Sequence, residues 1–204
     1  GQHYSYNLDG VFFEQLRLPQ AKHNLEVGSS SHGEQTARIL TAVEKVLQEE
    51  SPDIVLVHGD TNSALAGALA AAKLNIKIGH VEAGLRSYDK SMPEEINRVL
   101  ADHCSDYLFA PTEGAREILL GESIPEEKIS VTGNTIVDSI NQNLSMTGEQ
   151  SNTLDSLHLK PGEYLLVTLH RQENVDNQAR FASILDGLDK VAADLQLPLI
   201  YPVH

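Results

Sequence analysis

Hydrophobic positions along the chain fall into short β-branched runs that alternate with longer periodic stretches. DIVLVHGD, residues 53–60, is a near-continuous apolar run closed by Gly and Asp, the pattern of a parallel strand buried on both faces. The Ala-rich stretch 61–74 that follows reads as a helix capped by Thr61 or Asp60, with side chains small enough to lie close on a sheet. IKIGHVE at 76–82 is the next strand. PEEINRVLADHCS then opens a helix with Pro93 at its first position, where the missing N–H costs nothing. The unit repeats, with strands at 106–112 and 128–134 followed by helices over 113–122 and 135–144. Strand, helix and strand in this order predict right-handed crossovers and a Rossmann-like parallel sheet with helices on both faces. The expected fold class is α/β.

The periodicity lapses over residues 145–161, where Ser, Thr, Gly and Asn gather. This predicts a domain over 1–145, a linker over 146–161 and the start of a second domain over 162–204. The second domain should hold a strand at 163–170, a helix at 179–195 and a strand at 198–204. One such unit cannot cover its own sheet faces, so the second domain is expected to be incomplete. The polar opening GQHYSYNLDGVFFEQL leads into a helix and reads as the middle of a fold whose first strand lies upstream.

Composition narrows the function classes. The 204 residues are 41% hydrophobic, enough for a core, and carry 15 basic against 29 acidic side chains. A formal charge of −14 repels a phosphate backbone or an anionic membrane at long range, which argues against nucleic acid or membrane partners. Cys104 is the one cysteine, so no internal disulfide can form. Nothing in the sequence resembles a signal peptide or a bilayer-spanning run, and the expected compartment is cytoplasmic.

In open parallel sheets, ligands bind beyond the carboxyl ends of the strands. Asp60, Glu82 and His170 each close a strand there, and Glu94 and Glu95 stand in the first turn of the helix entered from the same loop as Glu82. His58 and His80 could face this cleft or be buried beside it. Each residue also has an ordinary reading. Asp60 could cap the helix, Glu94 and Glu95 could answer the helix dipole, and Arg86 or Arg98 could simply pair with Glu82. His-to-acid spacings match no zinc signature, and no dinucleotide fingerprint, Walker loop or Ser nucleophile elbow is present. Several carboxylates in one cleft can drive their pKa values apart, leaving one acid and one base near neutral pH, which suits proton abstraction from carbon.

The motifs GQHY, VLVHGDT, GHVEAGLRS, MPEEINR, FAPTE, VTGNTIVD, LVTLHRQEN and YPVH run from one end of the chain to the other. In this combination the chain resembles the non-hydrolysing UDP-N-acetylglucosamine 2-epimerases. The resemblance implies two Rossmann-like domains of the glycosyltransferase-B type holding a UDP-sugar between them, with a homodimer as the assembly. It implies anti elimination of UDP through 2-acetamidoglucal and syn re-addition, converting UDP-N-acetylglucosamine to UDP-N-acetylmannosamine without nicotinamide or metal. Asp60, Glu82 and Glu94 become the catalytic carboxylates, and His170 acts on the UDP leaving group. Arg98 becomes a substrate contact, and Arg86 is expected to neutralise the acids or the diphosphate. Gln2, His3, Arg38, Arg171 and His204 match positions associated with a second, activating substrate molecule. The family also carries a GTRPE-like loop ahead of the position of Gly1 and a Ser-Gly-Gly turn past that of His204. Two other classes share the architecture: a hydrolysing UDP-sugar enzyme or retaining glycosyltransferase, and an inactive nucleotide-sugar-binding module.

Overall fold

The computed structural model describes Tyr6 and residues 9–150, 153–169 and 172–203. Gln2, His3, His170, Arg171 and His204 lie outside the described residues. The chain divides into two units, Gly1–Asn143 and Leu144–His204.

The first unit is built on a parallel sheet of β1 (Ile54–His58), β2 (Lys77–Val81), β3 (Tyr107–Ala110) and β4 (Ile129–Val131), in that spatial order. Around it lie α1 (Gly10–Gln15), α2 (His32–Glu50), α3 (Asn62–Lys73), α4 (Pro93–Cys104) and α5 (Glu113–Gly121). Helix α2 falls in a stretch to which the pattern assigned no element. Its signals are local. Ser31 accepts a hydrogen bond from the Glu34 backbone N–H at 3.4 Å, the Ser-x-x-Glu start of a capped helix, and Ile39 and Leu47 carry its buried stripe. Helix α3 packs against α2, α4, β1 and β2, and seven of its twelve residues are buried, which is why half of it is Ala. Thr61, not Asp60, caps it, accepting from the Ala64 N–H at 3.2 Å. Asp60 is left available for other work.

The core sits between the sheet and these helices. Val57, Ile78 and Ala101 join the α3 alanines in one cluster, and Leu108, Ala110, Leu119 and Ile124 form another under α5. Fully burying side chains such as Ile78, Leu108 and Leu119 contributes roughly 1.5–3 kcal/mol each. β1 and the start of β3 are not buried on both faces. On the face away from the core, Ile54 is 42% exposed, Leu56 63% and Tyr107 46%. The sequential strand order explains this, because successive crossovers of one hand set their helices on one side, and coverage of the second side needs a reversal of strand order that β1 to β4 do not contain.

In the second unit, α6 (Thr135–Gln150), which begins in the first, continues through part of the stretch where periodicity lapses, and α7 (Thr153–Ser156) follows. β5 (Leu165–Leu166) and β6 (Leu199–Ile200) pair in parallel, with α8 (Gln172–Val175) and α9 (Gln178–Leu195) between them. Asn177 caps α9, accepting from the Arg180 N–H at 3.0 Å, and the Tyr201 hydroxyl donates to the Leu169 carbonyl at 2.8 Å. None of this unit's residues over 153–169 and 174–203 is fully buried. No helix among the described residues is long and apolar enough to cross a membrane.

Candidate functional site

β1 and β2 pair in register, His58 opposite Val81, so the turns that carry Asp60 and Glu82 leave neighbouring strand ends. The Gly59 N–H donates to the Val81 carbonyl at 3.0 Å and ties the two turns together. Glu82 adopts φ +70°, a left-handed conformation that costs a non-glycine residue energy and that the surrounding structure must hold in place. Its Oε2 stands 3.6 Å from the His58 Nε2. Asp60 forms an ion pair with Arg98 of α4, whose other Nη lies 3.4 Å from Glu95. Asn97 donates to the Asp60 carbonyl at 2.9 Å and to Asn62 Oδ1 at 3.1 Å, fixing α4 against the start of α3. The Arg98 Nε is buried without a hydrogen-bond partner among the described residues.

Beneath this rim lies a buried charge cluster. The His80 ring is fully buried, with Nδ1 2.6 Å from Asp102 Oδ1 and Nε2 2.9 Å from the Gly59 carbonyl. Asp102 Oδ2 accepts from the Gly84 N–H at 3.1 Å and from Arg86 Nη1 at 2.7 Å. Arg86 continues into a two-pronged pair with Glu122, at 2.8 and 2.6 Å. Burial works against the Arg86 charge, but the hydrogen bonds to Glu122 and Asp102 outweigh it and leave the guanidinium more basic than usual. The same pairing holds the Glu122 carboxyl below the ordinary range, helped by His103 at 3.3 Å. Gly84 has φ +83°, and a Cβ there would stand 2.4 Å from the Ala115 carbonyl, so this turn accepts only glycine.

Glu94 and Glu95 separate sharply. Glu94 is exposed in the first turn of α4. Glu95 is 4% exposed and accepts from the Ser87 N–H at 2.8 Å, the Ser87 hydroxyl at 3.0 Å and the Tyr88 N–H at 2.9 Å. Burial pushes the Glu95 carboxyl up, but these donors and Arg98 prevail and hold it below its usual value. It fastens the loop of residues 87–88 onto α4.

The structure therefore brings Asp60 together with Arg98 and Glu82 together with His58. It does not bring Arg86 to Glu82 or Glu94: that guanidinium is 1% exposed and spent on Asp102 and Glu122, which corrects the expectation that it neutralises the rim acids. Arg38 is exposed on α2, 3.8 Å from Glu34. Asp102, Asn97 and Glu122 were not picked out by strand-end reasoning. A signal existed for Asp102, because polar residues at 95, 98 and 102 recur at helical spacing on the stripe of α4 where apolar ones belong. Among the described residues no group of three or more His, Cys, Asp or Glu side chains is placed to hold a metal ion. A cavity of about 530 Å³ lined by Phe13, Leu25, Val27, Ile39 and Val43 includes none of the predicted catalytic residues.

A family model for UDP-N-acetylglucosamine 2-epimerase matches residues 1–204. The UDP-N-acetylglucosamine 2-epimerase of Methanocaldococcus jannaschii is 53% identical over 205 residues, a match covering 100% of this chain and 56% of that protein. The UDP-2,3-diacetamido-2,3-dideoxy-D-glucuronate 2-epimerase of Pseudomonas aeruginosa is 40% identical over 204 residues, covering 100% and 56%. The crystal structure of the M. jannaschii enzyme in complex with UDP-GlcNAc and UDP matches with a TM-score of 0.90 and 52% identity, over 100% of this chain and 56% of that one. The structure of the Rickettsia bellii UDP-N-acetylglucosamine 2-epimerase gives a TM-score of 0.88 at 33% identity, over 100% and 53%. The chain thus spans about half the length of the relatives it matches, and shares with them the Rossmann-like α/β class expected from its pattern. With the match running from Gly1 to His204, the chain belongs to the UDP-N-acetylglucosamine 2-epimerase family.

Proposed function

We propose that this chain carries the acid–base residues of an isomerase that inverts C2 of UDP-N-acetylglucosamine. In the forward direction the C2–H bond and the bond from C1 to the UDP oxygen break, and a C1–C2 double bond forms, giving 2-acetamidoglucal and UDP. A proton then returns to C2 on the other face as UDP rejoins C1, so atoms balance and no electrons leave the sugar. Asp60, Glu82 and Glu94 handle these protons, Arg98 holds the substrate's negative charge, and His170 serves the leaving diphosphate. The observation that supports this reading most is the meeting of Asp60–Arg98 and Glu82–His58 at adjacent strand ends of one parallel sheet.

The test is proton NMR of UDP-N-acetylglucosamine with the chain in heavy water. Deuterium at C2 accompanied by UDP-N-acetylmannosamine is the expected result. Free N-acetylmannosamine with stoichiometric UDP would replace this reading with hydrolysis, and an unchanged spectrum would leave a binding module. Glu82→Gln and Glu94→Gln should each slow exchange by about 10²-fold or more, the usual contribution of a positioned acid or base. Near-normal exchange in both variants would overturn the assignment. The P. aeruginosa relative is named for 2-epimerisation of a different UDP-sugar, so C2 inversion is the common element and the sugar is the variable one.

The same reading makes Arg38, with Gln2, His3, Arg171 and His204, a second site for the substrate, and makes the enzyme a cytoplasmic homodimer. Sigmoidal dependence of rate on substrate supports the second site, and a hyperbola removes it.

A further inference from the structure

The buried His80 ring faces two groups that only accept. The Gly59 carbonyl, 2.9 Å from Nε2, has no proton to give. Asp102 Oδ1, 2.6 Å from Nδ1, belongs to a carboxyl group whose other oxygen accepts from the Gly84 N–H and the Arg86 guanidinium, so Oδ1 is the oxygen left to accept from the ring. A neutral imidazole has one N–H and would leave one of these contacts lone pair against lone pair, which the burial of the ring makes costly. Two donors are needed, and the imidazolium supplies both. Charge then balances within the cluster: His80 and Arg86 are positive, Asp102 and Glu122 negative, with His103 on the outer side of Glu122.

This cluster reaches both functional turns. The His80 ring holds the carbonyl of Gly59, the residue before Asp60, while Asp102 holds the N–H of Gly84, two residues beyond Glu82. We propose that His80 is a buried imidazolium which, with Asp102, acts as a positioning pair, locking the Asp60 and Glu82 turns to α4 and to each other. The part concerning catalysis rests on the epimerase reading above. The part concerning protonation and geometry does not.

Long-range proton–nitrogen correlation spectra of the ¹⁵N-labelled full chain near neutral pH read the proton count directly. His80, assigned through ring-to-backbone correlations, should show both ring nitrogens in the protonated form and two exchange-protected ring N–H signals. One nitrogen with the shift of an unprotonated imidazole would overturn the proposal without any variant. In Asp102→Asn, His80 should lose its Nδ1 proton, and the amide signals of Gly59, Asp60 and residues 82–84 should shift while those of α9 stay in place. Unmoved turn amides in that folded variant would overturn the positioning role. Turnover should fall about 100-fold with KM within about twofold, the signature of misplaced groups in place of lost binding. Unchanged turnover in folded Asp102→Asn would likewise sink it. A wild-type chain that shows no C2 exchange counts against the epimerase reading alone, since the spectra still decide the state of His80.

Discussion

Helix α4 divides two populations of charge that are similar in type and opposite in treatment. On its inner side Asp102 is 0% exposed, Arg86 1% and Glu95 6% in their side chains, and the carboxylates there are saturated with N–H and O–H donors. At the rim, Asp60 is 37% and Glu82 30% exposed, paired among the described residues with Arg98 and with the His58 ring, and Glu94 is open to solvent. A carboxylate whose lone pairs are filled by the protein cannot accept a proton from a substrate without breaking what holds it. One with vacant lone pairs and a fixed backbone can. Donor saturation, more than residue type or strand-end position, separates the groups that build this site from those available to act in it.

The strongest way to break the comparison is to remove the inner cation. Arg86→Met leaves Asp102 and Glu122 without their shared partner, and loss of one member of a buried pair costs about 3–5 kcal/mol. Urea denaturation monitored by circular dichroism should register that loss. A change under about 1 kcal/mol would mean that the cluster is not the structural element described here.

The adjacent glutamates sharpen it next. Glu95→Gln weakens several charge-assisted hydrogen bonds and should cost about 2 kcal/mol, whereas Glu94→Gln should stay within about 0.5 kcal/mol. Acid titration distinguishes them again. Glu95 and Glu122 are held below their ordinary value of 4.5 in the folded chain, so the stability they contribute is fully present above about pH 4.5. It is lost as pH falls through their lower folded values, because the unfolded chain then binds more protons. Melting temperature should be flat in this contribution from pH 7 to 5 and decline below, less steeply in Glu95→Gln. An equally steep decline in that variant would remove Glu95 as a cause.

Much of this was legible in the sequence, and the gaps have physical causes. The strand-to-helix alternation from Asp53 to Val131 is written in β-branched runs and an Ala-rich helix, and the strand ends located Asp60 and Glu82. Helix α2 escaped because its buried stripe is narrow among polar positions and its start is a four-residue cap, Ser31 to Glu34, a weaker signal than a hydrophobic run. The exposed face carrying Ile54 and Leu56 escaped because apolar content shows what a strand can bury, not what is present to cover it. Arg86 was expected to neutralise the acids or the diphosphate on the strength of the family resemblance. Only the fold reveals Glu122, 36 residues away in sequence and the nearer claim on its charge.

The smallest expected effect tests the rim from the opposite direction, by improving stability. Glu82 has φ +70°, where an L side chain pays about 1–2 kcal/mol and glycine does not. Its contact with His58, 3.6 Å at a half-exposed position, returns at most about 1 kcal/mol. Glu82→Ala and Glu82→Gly both delete that contact and both should abolish C2 exchange, but only the second relieves the backbone. Glycine's greater unfolded-state entropy offsets part of the gain, so the Gly variant should exceed the Ala variant by about 1 kcal/mol in urea denaturation. Equal stabilities would mean that the turn is relaxed around Glu82, and its conformation would then say nothing of use. A glycine variant more stable than the alanine variant, with exchange lost in both, is the pattern expected where backbone strain is kept because a carboxylate must point into a substrate.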